Sequence, residues 1–190
     1  MPPVSPVIPI EIDENLRLEP LEPRHAGSIF ELVNRDRDRL GIWLPWVATT
    51  LTVEDSLAFI EDSRRRRDLG SGGDGSGDWA IVVNAGRSAR IVGVIGLHDS
   101  SPTNRRIAIG YWVSGDHTGH GHITRAARAV TTRCIAAGFH RVEIRARTDN
   151  ARSRAVAERL GFEFEGVMRA AEWIGETPFD HAVFARIATP

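Results

Sequence analysis

Lysine is missing altogether: the 24 cationic side chains other than histidine are all arginine. No single site requires so complete an exclusion, so it is read as codon bias rather than chemistry. Cysteine is nearly missing too. One residue, Cys134, excludes an internal disulfide and suits a reducing compartment. It falls on the apolar stripe of an expected helix and is read as core rather than as a reactive thiol. The formal net charge of -1 lacks the basic excess of a dedicated nucleic-acid binder. No apolar run approaches the roughly 20 residues needed to cross a bilayer. The proline-rich start, Met1 to Pro9, has neither the charged beginning nor the continuous apolar stretch of a signal peptide. These absences together predict a cytoplasmic protein that does not engage a membrane.

What remains is an ordinary globular composition, 42% hydrophobic and 26% charged over 190 residues, enough for one domain with a real core. Residues 1–14 are expected to form an extended arm without fixed structure, and 15–190 the single domain. Asn15 to Glu19 reads as a strand and Pro23 to Arg39 as a helix, with a turn at Trp43 to Trp46 because Pro45 resists helix continuation. Thr52-Val53-Glu54-Asp55 is close to a capping box, opening a helix that should end by Gly70. The glycine–serine run from Gly70 to Gly77 reads as a connection between elements. Three strands follow, Trp79 to Asn84, Arg90 to Leu97 and Arg106 to Val113. Next come a helix from Ile123 to Ala137, a strand from Arg141 to Thr148, a short helix capped by Asn150 and stopped at Gly161, and strands at Phe162 to Arg169 and Pro178 to Ile187. Early helices, a run of antiparallel strands and later alternating elements make the fold class α+β with a mixed sheet.

The most informative segment runs from Ile109 to Thr124. A β-prone run ends in a short loop holding Gly119 and Gly121, and an amphipathic helix pattern starts directly after it. Open backbone N–H groups and the positive helix end at such a turn favour a diphosphate. The same turn is also built for backbone reasons alone. Its spacing matches neither G-x-G-x-x-G nor the lysine-bearing Walker pattern, so no dinucleotide or nucleoside-triphosphate site is indicated.

The second half carries the string D-N-x-x-S-x-x-V-x-E-x-x-G-F-x-x-E-G, from Asp149 to Gly166. Together with the glycine loop, it resembles the acyl-CoA-binding core of the GNAT acetyltransferase superfamily and is similar to its RimJ/RimL branch. Leu40 to Trp46 is similar to that branch's W-L-P-W segment, and Ile91 to Leu97 to its G-x-I-G-L strand. The resemblance runs from about Leu16 to Ile187. It implies a GNAT fold, with a mixed, mostly antiparallel central sheet flanked by helices. It also implies acetyl-CoA as co-substrate, with direct acetyl transfer to a primary amine, either a protein or peptide N-terminal α-amino group or a small-molecule amine. The donor-binding residues it implies are Trp112, Val113, Thr118, Gly119, His120, Gly121, His122, Ile123, Thr124, Asn150 and Ser153. Ser153 is placed beside the sulfur as donor to the leaving group, and Glu172, in Ala170-Ala171-Glu172-Trp173, as the base. Trp43, Trp46, Tyr111 and Glu172 are the expected acceptor-side residues. The loop departs from the superfamily's [QR]-x-x-G-x-[GA] pattern: Thr118 stands for Gln/Arg and Ile123 for the small residue, while His122 replaces an aliphatic one.

Read from the residues, Ser153 is also an ordinary serine near a helix start and Glu172 an ordinary strand-end carboxylate. Glu163 and Glu165 lie two apart and read as a solvent face. His117-x-x-His120-x-His122 lacks an accompanying carboxylate or thiol cluster, and no metal is expected. Arg64 to Arg67 closes a helix as solvated cations that suit its dipole, with contact to RNA as the sharper reading. Two other activities stay open, an amide-forming enzyme using aminoacyl-tRNA and a non-catalytic domain that binds CoA or a partner. Nucleic acid enters only as that tRNA co-substrate, and a homodimer is compatible with all of these readings.

Overall fold

The computed structural model describes residues 5–68, 73–85 and 88–189. Eight strands form one sheet: β1 (Ile10–Asp13), β2 (Leu16–Pro20), β3 (Gly77–Ala85), β4 (Ser88–Ser101), β5 (Arg106–Val113), β6 (Arg141–Arg147), β7 (Glu163–Ile174) and β8 (Thr177–Ile187). Their order across the sheet is β1-β2-β3-β4-β5-β6-β8-β7. Only β5 and β6 run parallel; every other neighbour is antiparallel. The helices are α1 (Ala26–Arg35), α2 (Arg37–Gly41), α3 (Val53–Arg67), α4 (His122–Ala136) and α5 (Ala151–Arg159). None of the described helices is long and apolar enough to cross a membrane.

The sheet is covered on both faces, and β3 shows how the sequence encodes this. Trp79 and Ile81 join Ala126, Val130, Cys134, Ile144 and Val156 in one core, under α4 and α5. Ala80 and Val82, pointing the other way, join Ile29, Val33, Val47 and Ile60 under α1 and α3. A strand buried on both faces reads as a continuous apolar run, as this one does. Cys134 is fully buried in the first core, where burial pushes its thiol up to about 12. Such a thiol is inert, which agrees with its reading as packing.

Three expectations need adjustment. The segment expected to be an arm, 1–14, contributes an edge strand: β1 pairs with β2, and Val7 is buried in the core. Alternating Ile10 and Ile12 pack against that core, an apolar signal hidden behind the prolines. The helix expected over Pro23 to Arg39 is broken at Asp36, whose backbone leaves helical geometry (φ -102°, ψ 16°). Its carboxylate accepts from Gly115 N at 2.6 Å and from Arg39 Nη2 at 2.9 Å, a long-range demand invisible in local sequence. The capping box is real: Thr52 Oγ1 accepts from Asp55 N at 3.2 Å, and Thr52 N donates back to Asp55 at 2.8 Å. The helix it opens ends at Arg67, and the part of the glycine run at 70–72 lies outside the described residues. Finally, Arg64 to Arg67 are each ion-paired rather than free cations, although Arg65 stays largely exposed. Arg64 pairs with Glu61 and Glu22, Arg65 with Asp62, Arg66 with Asp62 and Asp78, and Arg67 with Glu22. The tract is neutralised within the fold, which removes the basic patch on which RNA contact would rest.

Candidate active site

Behind β5, a short 3₁₀ turn at Gly115–His117 leads into the glycine loop and then α4. Gly119 and Gly121 both take left-handed backbone (φ 82° and 72°), and a side chain added at either would meet no atom within 4 Å. The glycines are therefore required for conformation, and the outer face of the loop is open. Gly121 is the N-cap of α4, and Arg125 N is the first helix amide to find a carbonyl, Gly121 O at 3.1 Å. The amides ahead of it, on His122, Ile123 and Thr124, are the free donors of a 15-residue helix whose positive end they mark. Thr118 adds no side-chain donor, since its hydroxyl is spent on Gly115 O at 2.8 Å. Thr124 Oγ1 accepts from Arg159 at 3.4 Å.

Three imidazoles crowd this loop. Ring centroids are 6.0 Å apart for His117 and His120, 5.6 Å for His117 and His122, and 5.6 Å for the parallel His120–His122 pair. Burial, then the neighbouring cations, holds His122 below the usual imidazole range, and burial followed by His120 does the same for His117. Among the described residues no group of three His, Cys, Asp or Glu is disposed to hold a metal ion.

Beside the loop, β5 and β6 part company. Their register runs from Arg106↔Arg141 to Ile109↔Ile144 and stops, although both strands continue. The resulting opening lies between Gly110–Val113 and Arg145–Arg147. Ser114 N donates to Val92 O at 2.8 Å, which fixes the alternation along the end of β5. Trp112 accordingly turns its backbone to β4, and Tyr111 and Val113 turn theirs to the opening. This corrects the expectation for Trp112, which contributes its ring and not its backbone. The Val113 carbonyl is taken by Arg39 Nη2 at 2.7 Å, leaving its amide.

The far wall of the opening is α5. Asn150 is its N-cap and accepts from Ser153 N at 3.1 Å, so Asn150 serves the site by fixing Ser153 in the first helical turn. Ser153 Oγ lies 3.0 Å from the Tyr111 hydroxyl, which also reaches Ser153 O at 3.2 Å. Both contacts are satisfied when Tyr111 donates to the carbonyl and Ser153 donates to Tyr111. Burial pushes the Tyr111 phenol up to about 12, so it remains protonated as a hydrogen-bond donor at neutral pH. From the sequence, Tyr111 is a candidate for the acceptor pocket or for the channel of the donor's pantetheine arm. The structure places its hydroxyl on Ser153 as well.

On the α1–α3 face, a cavity of about 790 Å³ reaches the same strand end. Trp46, Phe59, Tyr111 and Trp112 form its apolar wall, with Trp46 and Trp112 rings tilted at 6.1 Å. Glu172 sits in its lining, on a β7 stretch bent by two register shifts and a left-handed Ala170 (φ 49°). Asp180 secures that bend by accepting from Ala170 N at 2.8 Å. Glu172 Oε2 is 3.3 Å from His181 Nε2 on β8. Trp43 does not line this cavity. It lies beneath Arg147, whose guanidinium is 4.8 Å from its ring and 3.6 Å from that of Phe179. The lining also holds groups that sequence reasoning missed: His98, Asp99 and the ion pair of Arg66 with buried Asp78 at 2.8 Å. His98 and Asp99 follow the glycine-bearing β4 motif and stay half exposed at the cavity, where a β-bulge with Asp99 at φ 50° interrupts the pairing to β5. Nothing local announced the Arg66–Asp78 pair. Carboxylates outnumber cations around the cavity, which favours an amine over an anionic acceptor.

Comparison with known proteins agrees with this geometry. A family model described as an acetyltransferase (GNAT) domain matches residues 15–163. The putative ribosomal N-acetyltransferase YdaF of Bacillus subtilis (strain 168) is 32% identical over 160 residues, 84% of each protein. The ribosomal-protein-serine acetyltransferase of Escherichia coli (strain K12) is 27% identical over 179 residues, 94% of this chain and 96% of that protein. The structure of RimL, the ribosomal L7/L12 alpha-N-protein acetyltransferase, in complex with coenzyme A has a TM-score of 0.86 at 25% identity, covering 95% of this chain and 98% of that one.

Proposed function

Because the chain belongs to the GNAT acetyltransferase family and uses acetyl-CoA, we propose that its acceptor is the α-amino group of a protein N-terminus. The observation that carries this reading is that one strand end, Tyr111–Trp112, borders both the opening that exposes Ser153 and the amine-favouring cavity that holds Glu172. The relatives named for ribosomal-protein acetylation support the choice of acceptor.

In this reading the loop amides and the α4 dipole hold the donor's diphosphate, and Tyr111 and Val113 align its arm along the open edge of β5. The fit is direct: the glycine loop is unobstructed, and the β5 edge is free of β6 from Gly110 onward. Glu172 takes a proton from the acceptor ammonium, directly or through water. The amine nitrogen then forms its bond to the thioester carbon as the carbon–sulfur bond breaks. Ser153 gives its proton to the departing thiolate while Tyr111 turns its own hydrogen to the serine oxygen, and the second proton that the nitrogen sheds as the amide forms returns through water to Ser153. Bringing the two reactants together is itself worth several kcal/mol, on the order of 7 or more in well-oriented systems.

The test pairs thiol release with mass spectrometry on short peptides. Peptides with a free α-amine should be acetylated there, and peptides blocked at the α-amine but carrying a lysine should not react. Acetylation confined to lysine side chains or to small amines would refute the acceptor assignment.

A further inference from the structure

We propose that the imidazoles of His117 and His120 form a clamp for the donor's phosphates that takes up one proton as acetyl-CoA binds. The loop from Ser114 to Thr124 contains no arginine, and Thr118 supplies no charge. The first cation of α4, Arg125, is committed to Asp13 and His122. Within the loop itself, charge to balance a diphosphate can therefore come only from backbone dipoles and from the three imidazoles.

The ring partners decide which imidazole can change. A carbonyl only accepts, so His120 Nδ1, 3.0 Å from Thr118 O, carries its hydrogen and leaves the lone pair on Nε2. A guanidinium only donates, so His122 Nδ1, 3.0 Å from Arg125 Nη2, holds the lone pair, and the hydrogen is on Nε2. Protonating His122 would break the Arg125 bond inside a nearly closed site, where His122 is 8% exposed. His122 therefore stays a neutral donor, and the proton goes to the His117–His120 pair on the open side of the loop.

The surroundings set the count at one. Facing His117 are Arg35 of α1, Arg90 of β4 and Asp116 of the 3₁₀ turn, while Arg125 of α4 and Asp13 of β1 face His122. Burial first, and then two cations against one carboxylate, disfavour a charged His117 in the empty site. A bound phosphate reverses that balance, since an opposite charge within about 4–6 Å raises a basic group's pKa by roughly 1–3 units. Two rings at 6.0 Å repel when both are charged, so they share one proton. The sign follows. Affinity is constant below the pKa of the empty pair, weakens as pH rises toward the pKa of the occupied pair, and is constant again above it.

Isothermal titration of the full chain with acetyl-CoA at pH 7, in PIPES and in Tris, reads the proton count from the difference in binding heat. The 3′-phosphate of the donor titrates in the same region, near pH 6, so the comparison is with a His117→Asn/His120→Asn double variant that keeps this contribution. Wild type should take up about one proton more than the variant, and its Kd should weaken about tenfold more between pH 6 and 8, the change one coupled proton allows per unit of pKa difference. At pH 8 the two should bind within about twofold, because both are then uncharged at these positions. Equal proton counts and parallel pH profiles would overturn the proposal. Stoichiometric zinc in purified wild type, with acetyl-CoA binding lost on chelation, would overturn it by making the imidazoles metal ligands. His120→Gln, at an exposed position, gives the same comparison should the double variant fail to fold.

Discussion

Replacing Ser153 by alanine isolates the step at which the carbon–sulfur bond breaks. The hydroxyl is 3.0 Å from Tyr111, which has a second acceptor in Ser153 O at 3.2 Å, so the phenol is not orphaned when the side chain is lost. The α5 cap also survives, because Asn150 engages Ser153 through its backbone amide. The cost to folding should therefore stay near 1 kcal/mol, the net worth of one neutral hydrogen bond. A hydrogen bond to a developing thiolate is charge-assisted and worth about 1.5–3 kcal/mol, so kcat should fall about 10- to 150-fold. KM for acetyl-CoA should change less than about threefold, since the interaction grows only in the transition state. Stopped-time thiol release gives both constants, and thermal unfolding gives the stability. Tyr111→Phe completes a double-mutant cycle: if the two groups act in series, the double variant should be little slower than Ser153→Ala alone. An unchanged kcat with raised KM would show Ser153 to be a donor-binding residue and would sink the proton-relay account.

Glu172→Gln keeps size but cannot accept a proton, and should cost about 100-fold or more in rate at pH 7. The deficit should shrink above about pH 8, where an α-amine is already largely neutral, and a wild-type rate at pH 7 would make Glu172 a bystander. Gly121→Val should abolish acetyl-CoA binding by calorimetry, because a branched residue is strained at φ 72° and covers the amides; unchanged affinity in a folded variant removes the cradle. Asp36→Asn should lower the melting temperature at pH 7. Although burial opposes it, the Gly115 amide and Arg39 hold this carboxyl below its ordinary value, so its contribution is present above about pH 3.8 and lost as pH falls further. Melting curves from pH 7 to about pH 2 should therefore converge, and a constant offset would contradict the assignment.

Local rules reached most of the fold because most of it is locally specified. The expected strand from Arg106 to Val113 has the observed bounds, and the Thr52 and Asn150 caps formed where short-range chemistry put them. Residues set by distant partners were not legible. Asp36 breaks its helix for Gly115, 79 positions away, and the Arg64–Arg67 tract looks basic until Glu22 and Asp78 meet it. Within the site, Ser153 and the loop could be read from motif order, since each sits beside its own cap. Trp43 could not be told from Trp46, because only packing shows that Arg147 covers one and that the cavity takes the other.

The bends of β7 make the aim of Glu172 a question of parity. Between Phe164 and Gly166 one extra residue sits against β8, and this turns everything beyond it to the opposite face. Between Met168 and Glu172 two more are inserted, an even number, so Glu172 keeps the face of its partner His181. Deleting the extra residue at the first bend would restore plain alternation from Phe164 and leave Glu172 opposite Phe179, on its present face. Deleting the two extra residues at the second would also leave Glu172 opposite Phe179, but would straighten the stretch that Ala170 and Asp180 bend. The bends therefore set the shape of the strand around Glu172 rather than its partner on β8, and they lie apart from the donor loop.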